Sequence, residues 1–287
     1  MNYQRVPLPA GIYFVGVPIG TARDITLRAL DVLASAEVLA AEDSRSLRKL
    51  MDIHGIPLSG RRIKVLHDHS KKAQSDALLL AAQSGQSVAY ASEAGMPLIA
   101  DPGFELARAA HAAGVPLTCA PGPSAVLTAL TIAGLPTDAF HFAGFAPPAS
   151  AARQRALQAL AETRATLAFY EAPQRLAAFL ADAAKVLGGE RDAVVCRELT
   201  KKFEEIRRGS LSQLAEHYAR AQVKGEIVVL IDRAGSETVK DVDIEKVLQA
   251  ALATMSVRDA AEMVAKAHDL PRRQVYQTAL KLGKAFE

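Results

Sequence analysis

Three loops that follow short apolar runs carry residue types suited to ligand chemistry. Gly16-Val17-Pro18-Ile19-Gly20 follows the strand-like run Ile12–Val15, and glycine directly after a buried strand lets the backbone approach a ligand closely. It is not the dinucleotide fingerprint, which needs G-x-G-x-x-G and a later ribose-binding acid, and by itself it reads more readily as a simple tight turn. Ser92-Glu93-Ala94-Gly95-Met96-Pro97 runs on to Asp101-Pro102-Gly103. Its prolines fix the loop shape and lower its unfolded entropy, and its carboxylates suit hydrogen bonds from a ribose or an amino group. In Pro121-Gly122-Pro123-Ser124-Ala125, Ser124 suits an N-cap, and the helix start it opens offers free amides to a ligand carboxylate.

Other polar clusters are less specific. Glu42-Asp43-Ser44-Arg45 ends the run Val38–Ala41, and a structural ion-pair network accounts for it as well as a site does. Tyr170-Glu171-Ala172-Pro173-Gln174-Arg175, Arg197-Glu198-Leu199-Thr200-Lys201 and Lys224-Gly225-Glu226 each sit at a strand boundary and separately read as solvated edges. His67 and His69 flank Asp68, but no third ligand is spaced to complete a site, so no metal is expected. The sequence has no nucleophile elbow and no Walker phosphate loop.

The elements that must hold these loops alternate between β-type and helical runs. Strands are expected at Ile12–Val15, Val38–Ala41, Ile63–Leu66, Ser87–Ala91 and Val115–Ala120, with helices at Ile25–Ala36, Ser44–Ile53, Ala73–Ser84 and Glu105–Ala113. A parallel or mixed sheet with helices on its faces satisfies this order, and ligands in such sheets sit at the carboxyl ends of strands, where the loops fall. Beyond Pro121–Pro123 the helix Ala125–Ala133, the aromatic run Phe140–Phe145, strands Thr166–Tyr170, Ala193–Cys196 and Ile227–Asp232, and helices Arg175–Leu187 and Leu211–Ala219 make a second α/β domain. Arg233–Val239 reads as a linker. After it, Val257, Ala260, Ala261, Val264 and Ala265 mark one helix and Val275, Ala279 and Leu282 a second, with Pro271 suited to a first helical turn. The expected divisions are therefore 11–121, 122–235 and a helical module over 240–287.

Composition bounds the remaining classes. The chain has 287 residues, 50% of them hydrophobic and 23% charged, which is a globular balance rather than a disordered one. A net charge of +3 permits an RNA partner without requiring one and excludes a polybasic protein. The two-helix tail from Ser256 to Phe286 holds six Lys/Arg against three Asp/Glu, as fitting for an RNA-facing tail as for a solvated helical pair. Cys119 and Cys196 read as reduced core thiols. Met1–Pro9 contains Arg5, Pro7 and Pro9 and no apolar leader, and no apolar run reaches the length of a membrane span, so a cytoplasmic location is expected.

The loops recur in a recognisable order: VGVPIGTARDITLRAL at Val15–Leu30, AAEDSRSLRKL at Ala40–Leu50, SEAGMPLIADPG at Ser92–Gly103, PGPSAVLTAL at Pro121–Leu130, GLPTDAFHFAGFAP at Gly134–Pro147, FYEAPQRL at Phe169–Leu176, RELTKKFEEIRRGSL at Arg197–Leu211 and KGEIVVLI at Lys224–Ile231. In this order the chain resembles the ribosomal RNA small subunit methyltransferase I branch of the tetrapyrrole methylase superfamily over about residues 11–232, and the helical tail looks like the C-terminal module of that branch. The resemblance implies two α/β domains with S-adenosyl-L-methionine in the cleft between them, a homodimer, and methylation of a cytidine ribose 2′-hydroxyl in small-subunit ribosomal RNA. By position it places Pro18 and Ile19 against the cofactor, Glu93 to Met96 at its ribose and amino acid portion, Ser124 and Ala125 at the methionine end, and Tyr170, Glu171, Leu199, Glu226 and Ile227 on the adenine side. The family usually reads Ser-Asp-Ala-Gly-Thr-Pro where this chain has Ser92-Glu93-Ala94-Gly95-Met96-Pro97, so the Glu93 hydrogen bond must shift by a methylene, with Asp101 as a possible substitute.

Methyl transfer from a sulfonium is an in-line displacement, so the protein must align oxygen, methyl carbon and sulfur and exclude water. A base near the hydroxyl helps, and Glu42, Asp43 and His69 are the candidates, with Arg45 orienting a carboxylate or holding a phosphate. Arg45, Arg48, Lys49, Arg61, Arg62, Lys71 and Lys72, with the C-terminal module, are the expected RNA contacts. Alternatives on the same fold are a methylase of tetrapyrroles such as a corrinoid precursor, and a non-catalytic ribosome-binding factor.

Overall fold

A computed structural model describes residues 2–66, 72–235, 244–267 and 272–283. The chain forms two compact units, residues 1–234 and 235–287. His67, Asp68, His69, Lys71 and Pro271 lie outside the described residues.

The first unit opens with a five-stranded sheet: β1 (Gly11–Val15), β2 (Val38–Ala41), β3 (Ile63–Val65), β4 (Ser87–Ala91) and β5 (Leu117–Ala120), in the order β3-β2-β4-β1-β5. Every pairing is parallel. Both β1 and β4 are buried along their whole length, the condition of a strand covered by helices on both faces. Side chains alternate across the sheet, so Tyr13 and Val15 enter one core while Ile12 and Phe14 enter another. The covering helices are α1 (Leu27–Ser35), α2 (Ser44–Ile53), α3 (Lys72–Gln83) and α4 (Phe104–Ala112). Local chemistry sets their starts: the Thr26 hydroxyl accepts from the Ala29 amide, and the Asp43 carboxylate from the Arg45 amide at 2.7 Å. Thr26 thus delays α1 to Leu27, past the expected start at Ile25.

After α5 (Ala125–Ala133) comes a second sheet of β6 (Phe140–Phe145), β7 (Thr166–Glu171), β8 (Asp192–Arg197), β9 (Glu205–Ser210) and β10 (Ile227–Ile231), ordered β6-β7-β10-β8-β9. Here β6 and β7 are parallel and the other pairings antiparallel. The helices α6 (Ser150–Ala159), α7 (Leu176–Leu187) and α8 (Leu211–Arg220) complete the layer. Central β10 is fully buried, with Val228 and Leu230 facing α5 and Ile227, Val229 and Ile231 facing the opposite core. Ser210 and Gln213 form a reciprocal capping box that starts α8.

Two of these elements leave little trace in the sequence. In α6 the buried positions include Arg153, which is 4% exposed, so its polar type hides the helical face. Its guanidinium pairs with Asp182 at 2.6 Å and donates to the Pro148 carbonyl. β9 is an edge strand reading EIRRGS, with only partial burial and no apolar alternation.

The second unit contains α9 (Ile244–Leu252), α10 (Val257–Ala267) and α11 (Arg272–Gly283). Its core joins Leu248, Ala251, Ala260, Ala261, Val264 and Val275. The expected pair of helices is therefore a trio, since Leu248 and Ala251 bring a third helix to the same core. Among the described residues, no helix is long and apolar enough to cross a membrane.

Candidate functional site

The two sheets each turn one edge of loops into a shared cavity. In the first sheet β2, β4, β1 and β5 are neighbours and parallel, so the residues after them emerge side by side. In the second sheet antiparallel pairing sets the start of β10 beside the ends of β7 and β8, with Ile227 opposite both Glu171 and Arg197. Residues distant in sequence are thereby brought to one edge.

The first-sheet loops lock together tightly. Val17 and Gly95 form an antiparallel bridge with amide-to-carbonyl distances of 2.9 and 3.1 Å. Gly16 and Gly122 touch backbone to backbone, and a Cβ on Gly16 would lie 2.7 Å from the Gly122 nitrogen. Met96 sits beneath this contact, its sulfur accepting from the Gly122 amide at 3.2 Å. Sulfur is a weak acceptor, so this contact ties the loop after β4 to the loop after β5 by packing as much as by hydrogen bonding.

A second lock joins the sheets. The Thr21 amide donates to the Thr200 hydroxyl at 3.2 Å, and a Cβ on Gly20 would fall 2.4 Å from that oxygen. Ile19 and Leu199 share one apolar cluster with α5 and β10. The 198–204 loop is rigidly built: Lys201 Nζ lies 3.0 Å from both Glu198 and Glu226, and the Glu226 amide donates to Glu198 at 3.0 Å. That amide, helped by Lys201, holds the Glu198 carboxyl below its ordinary range. Gly225, with φ +96°, makes room, since a Cβ there would meet the Glu198 carboxyl at 2.4 Å. Leu98, Ala100, Glu198 and Thr200 all have positive φ, which places backbone strain in two loops of the cavity wall.

The cavity measures about 370 Å³, within the usual range for small-ligand sites of roughly 300–1,000 Å³. Ile19, Glu93, Met96, Asp101, Ser124, Ala125, Tyr170, Glu171, Leu199, Glu226 and Ile227 all line it, so the structure brings these sequence candidates together. Pro18 is not in its wall, although Ile19 beside it is. Apolar surface comes from Ile19, Met96, Leu199, Ile227 and Val228, and negative charge from Glu93, Asp101 and Glu226. Ser124 starts α5 without a side-chain cap bond, leaving the first-turn amides of that helix to face a ligand anion.

Burial, with Asp101 and Glu226 nearby, pushes the Tyr170 hydroxyl up to about 12, so it serves as a neutral donor. Burial also raises the Glu171 carboxyl, against the lowering effects of the Ala172 amide and Arg175. Arg175 lies 3.1 Å from Glu171 and also donates to the Ala146 carbonyl, tying the end of β7 to the end of β6.

Among the acid–base candidates, Glu42 lines the cavity at the end of β2. Asp43 and Arg45 do not. Asp43 caps α2 and pairs with Arg45 at 3.2 Å, and the Arg45 hydrogen bonds hold its carboxyl below the ordinary range. His69 is outside the described residues. Of the expected RNA contacts, Arg45, Arg48, Lys49, Arg62 and Lys72 are exposed, while Lys71 is outside the described residues. Arg61 is committed elsewhere: it donates to the carbonyls of Leu33, Ala36, Pro57 and Leu58, stitching α1 to the loop before β3. Among the described residues, no group of three or more His, Cys, Asp or Glu is placed to hold a metal.

Sequence reasoning missed Phe145 as a wall residue. It stacks edge-on against Tyr170 at 5.7 Å, and its aromatic run signals only a strand. Lys201 and Gly225 belong to clusters that read separately as solvated edges, and their supporting roles show only in the packing of one loop on another.

Comparison with known proteins agrees with this architecture. Residues 11–215 match the family of tetrapyrrole (corrin/porphyrin) methylases, and residues 238–283 match the RsmI C-terminal HTH domain. The chain is 45% identical to ribosomal RNA small subunit methyltransferase I of Mesorhizobium japonicum, across 96% of this chain and 93% of that one. It is 46% identical to the protein of the same name from Mycobacterium tuberculosis, across 92% of each. The fold is similar to that of a uroporphyrin-III-C-methyltransferase from Thermus thermophilus, with a TM-score of 0.56 and 23% identity over 77% of this chain and 94% of that one. It is also similar to the methyltransferase CobJ, with a TM-score of 0.61 and 19% identity over 79% and 95%. By its paired sheets, its ordered loops and these relationships, the chain belongs to the ribosomal RNA small subunit methyltransferase I family of the tetrapyrrole methylases.

Proposed function

We propose that this protein transfers a methyl group from S-adenosyl-L-methionine to a cytidine ribose 2′-hydroxyl in small-subunit ribosomal RNA, acting in the cytoplasm as a homodimer. The observation that carries the reading is the cavity in which loops from both sheets meet. Its residues suit the donor in three respects. The α5 start at Ser124 and Ala125 suits a carboxylate, the acids Glu93 and Asp101 suit ribose hydroxyls and an ammonium group, and the apolar wall of Leu199, Ile227 and Val228 suits a flat base.

When bound, S-adenosyl-L-methionine supplies an electrophilic methyl carbon on a sulfonium. The chain supplies position and proton transfer. Tyr170 and the Glu226–Ile227 strand start hold the adenine side, and Glu93 the ribose. Glu42, the cavity-lining member among the described acid–base candidates, takes the proton of the ribose hydroxyl. Asp43 keeps α2 in place, and exposed Arg45 meets an RNA phosphate at the rim. Arg48, Lys49, Arg62 and Lys72 offer further phosphate partners, and the C-terminal module supplies basic groups of its own.

Small ribosomal subunits from cells lacking the gene, incubated with isotopically labelled S-adenosyl-L-methionine and digested for mass spectrometry, test this. Label in a 2′-O-methylcytidine is expected. No label in the subunits, with label entering a corrinoid precursor in a parallel incubation, would refute the assignment, as would no transfer to either.

A further inference from the structure

A second hollow, of about 590 Å³, shares the Asp101 wall with the first. Phe104 and Arg108 on α4 form one side, and Lys72, Ser75 and Asp76 near the start of α3 form another. Phe104 is 63% exposed, so much of its ring is open to a partner. The Arg108 guanidinium lies 5.8 Å from the centre of its ring and is held there by Glu105 at 2.5 Å. Glu105 pairs with Arg108 at the surface, and exposed ring remains for another flat group.

Among the described lining residues, Lys72 and Arg108 face the carboxylates Asp76, Asp101 and Glu105, with Asp76 as an acceptor on α3 and Ser75 as donor or acceptor. A cluster of phosphates does not suit this balance of charge. An unpaired nucleobase does: its face stacks on the ring, its amino group donates to a carboxylate, and its backbone phosphate meets the lysine. We propose that this hollow seats the base of a nucleotide flanking the methylated one, a base that carries an exocyclic amine and stacks on Phe104. The proposal rests on the RNA reading above, because a target ribose entering the first cavity brings its covalent neighbours to the Asp101 wall.

Two measurements on the full chain test it. In the small-subunit methylation assay, Phe104→Ala should raise KM for the subunits about tenfold, in keeping with roughly 1–3 kcal/mol for stacking one base. Phe104→Tyr should restore the wild-type value, and the dissociation constant for S-adenosyl-L-methionine should stay within about twofold in both. Because the chain contains no tryptophan, Phe104→Trp introduces a single indole reporter. Oligocytidylate should quench its fluorescence, and oligouridylate, which lacks the amino group, should quench it far less. An unchanged KM in Phe104→Ala with active wild-type protein overturns the proposal and leaves the function standing. Equal quenching by both oligonucleotides, or none, overturns it as well. A wild type that methylates no ribosomal RNA removes the function and this proposal with it.

Discussion

Gly16 and Gly122 are in backbone contact: a Cβ built on Gly16 would lie 2.7 Å from the Gly122 nitrogen and 2.8 Å from the Met96 sulfur. The loops after β1 and β5 therefore close under the cavity only because neither residue has a side chain. Gly16→Ala must push these loops apart, and such overpacking costs about 1–3 kcal/mol. We expect a lower unfolding midpoint and S-adenosyl-L-methionine binding weakened more than tenfold by calorimetry. Wild-type affinity in this variant would show that the glycine pair does not shape the donor site.

Glu93 reaches the cavity from an exposed position. A hydrogen bond to a charged group is worth about 1.5–3 kcal/mol. Glu93→Ala should weaken donor binding by roughly tenfold or more, whereas Glu93→Asp should retain most of it. Equal losses in the two variants would mean that shape, rather than the carboxylate, matters at this position.

The buried pair of Arg153 and Asp182 fixes the loop after β6. Burial alone would raise the Asp182 carboxyl, but hydrogen bonds from Gln154, Arg153 and Ser150 outweigh it and leave the group below its ordinary range. A depressed carboxyl contributes stability above its unfolded pKa of about 3.9, and that contribution is lost as pH falls through the folded value. Asp182→Asn at pH 7 strands Arg153, which is 4% exposed, and should cost about 3–5 kcal/mol in urea unfolding. Below about pH 4 the gap between variant and wild type should narrow. A gap independent of pH would contradict the ion-pair account.

Arg48 and Lys49 are exposed on α2, whereas every Arg61 side-chain nitrogen donates to backbone carbonyls. Arg48→Glu with Lys49→Glu should weaken binding of small-subunit RNA at about 100 mM salt. It should also flatten the salt dependence, by about one unit of slope for each phosphate that the variant no longer neutralises. Arg61→Ala should instead lower the unfolding midpoint and leave the salt slope unchanged. The reverse pattern would mean that the basic rim lies elsewhere.

Legibility in the sequence follows burial. Strands such as β1, β4 and β10, covered on both faces, read as unbroken apolar runs, and their loops stand out by composition. The cofactor candidates are those the family resemblance implies, since each loop alone also reads as a turn, a cap or a solvated edge, and all of them but Pro18 line the cavity. α6 is hidden because a buried arginine does part of the packing, and β9 because an edge strand needs little apolar alternation. Asp43 reads as a possible base, yet its position before α2 makes it a cap. Arg61 looks like any surface cation until its carbonyl partners are in view. Such roles belong to pairs of distant residues, which composition and periodicity along one segment do not contain.

The most direct measurement is the position of S-adenosylhomocysteine in a crystal of the full chain. The account expects the carboxylate of the ligand at the Ala125 end of α5 and its adenine between Leu199, Tyr170 and Ile227, within the 370 Å³ cavity. Ligand density elsewhere on the molecule, with this cavity filled only by water, would contradict it.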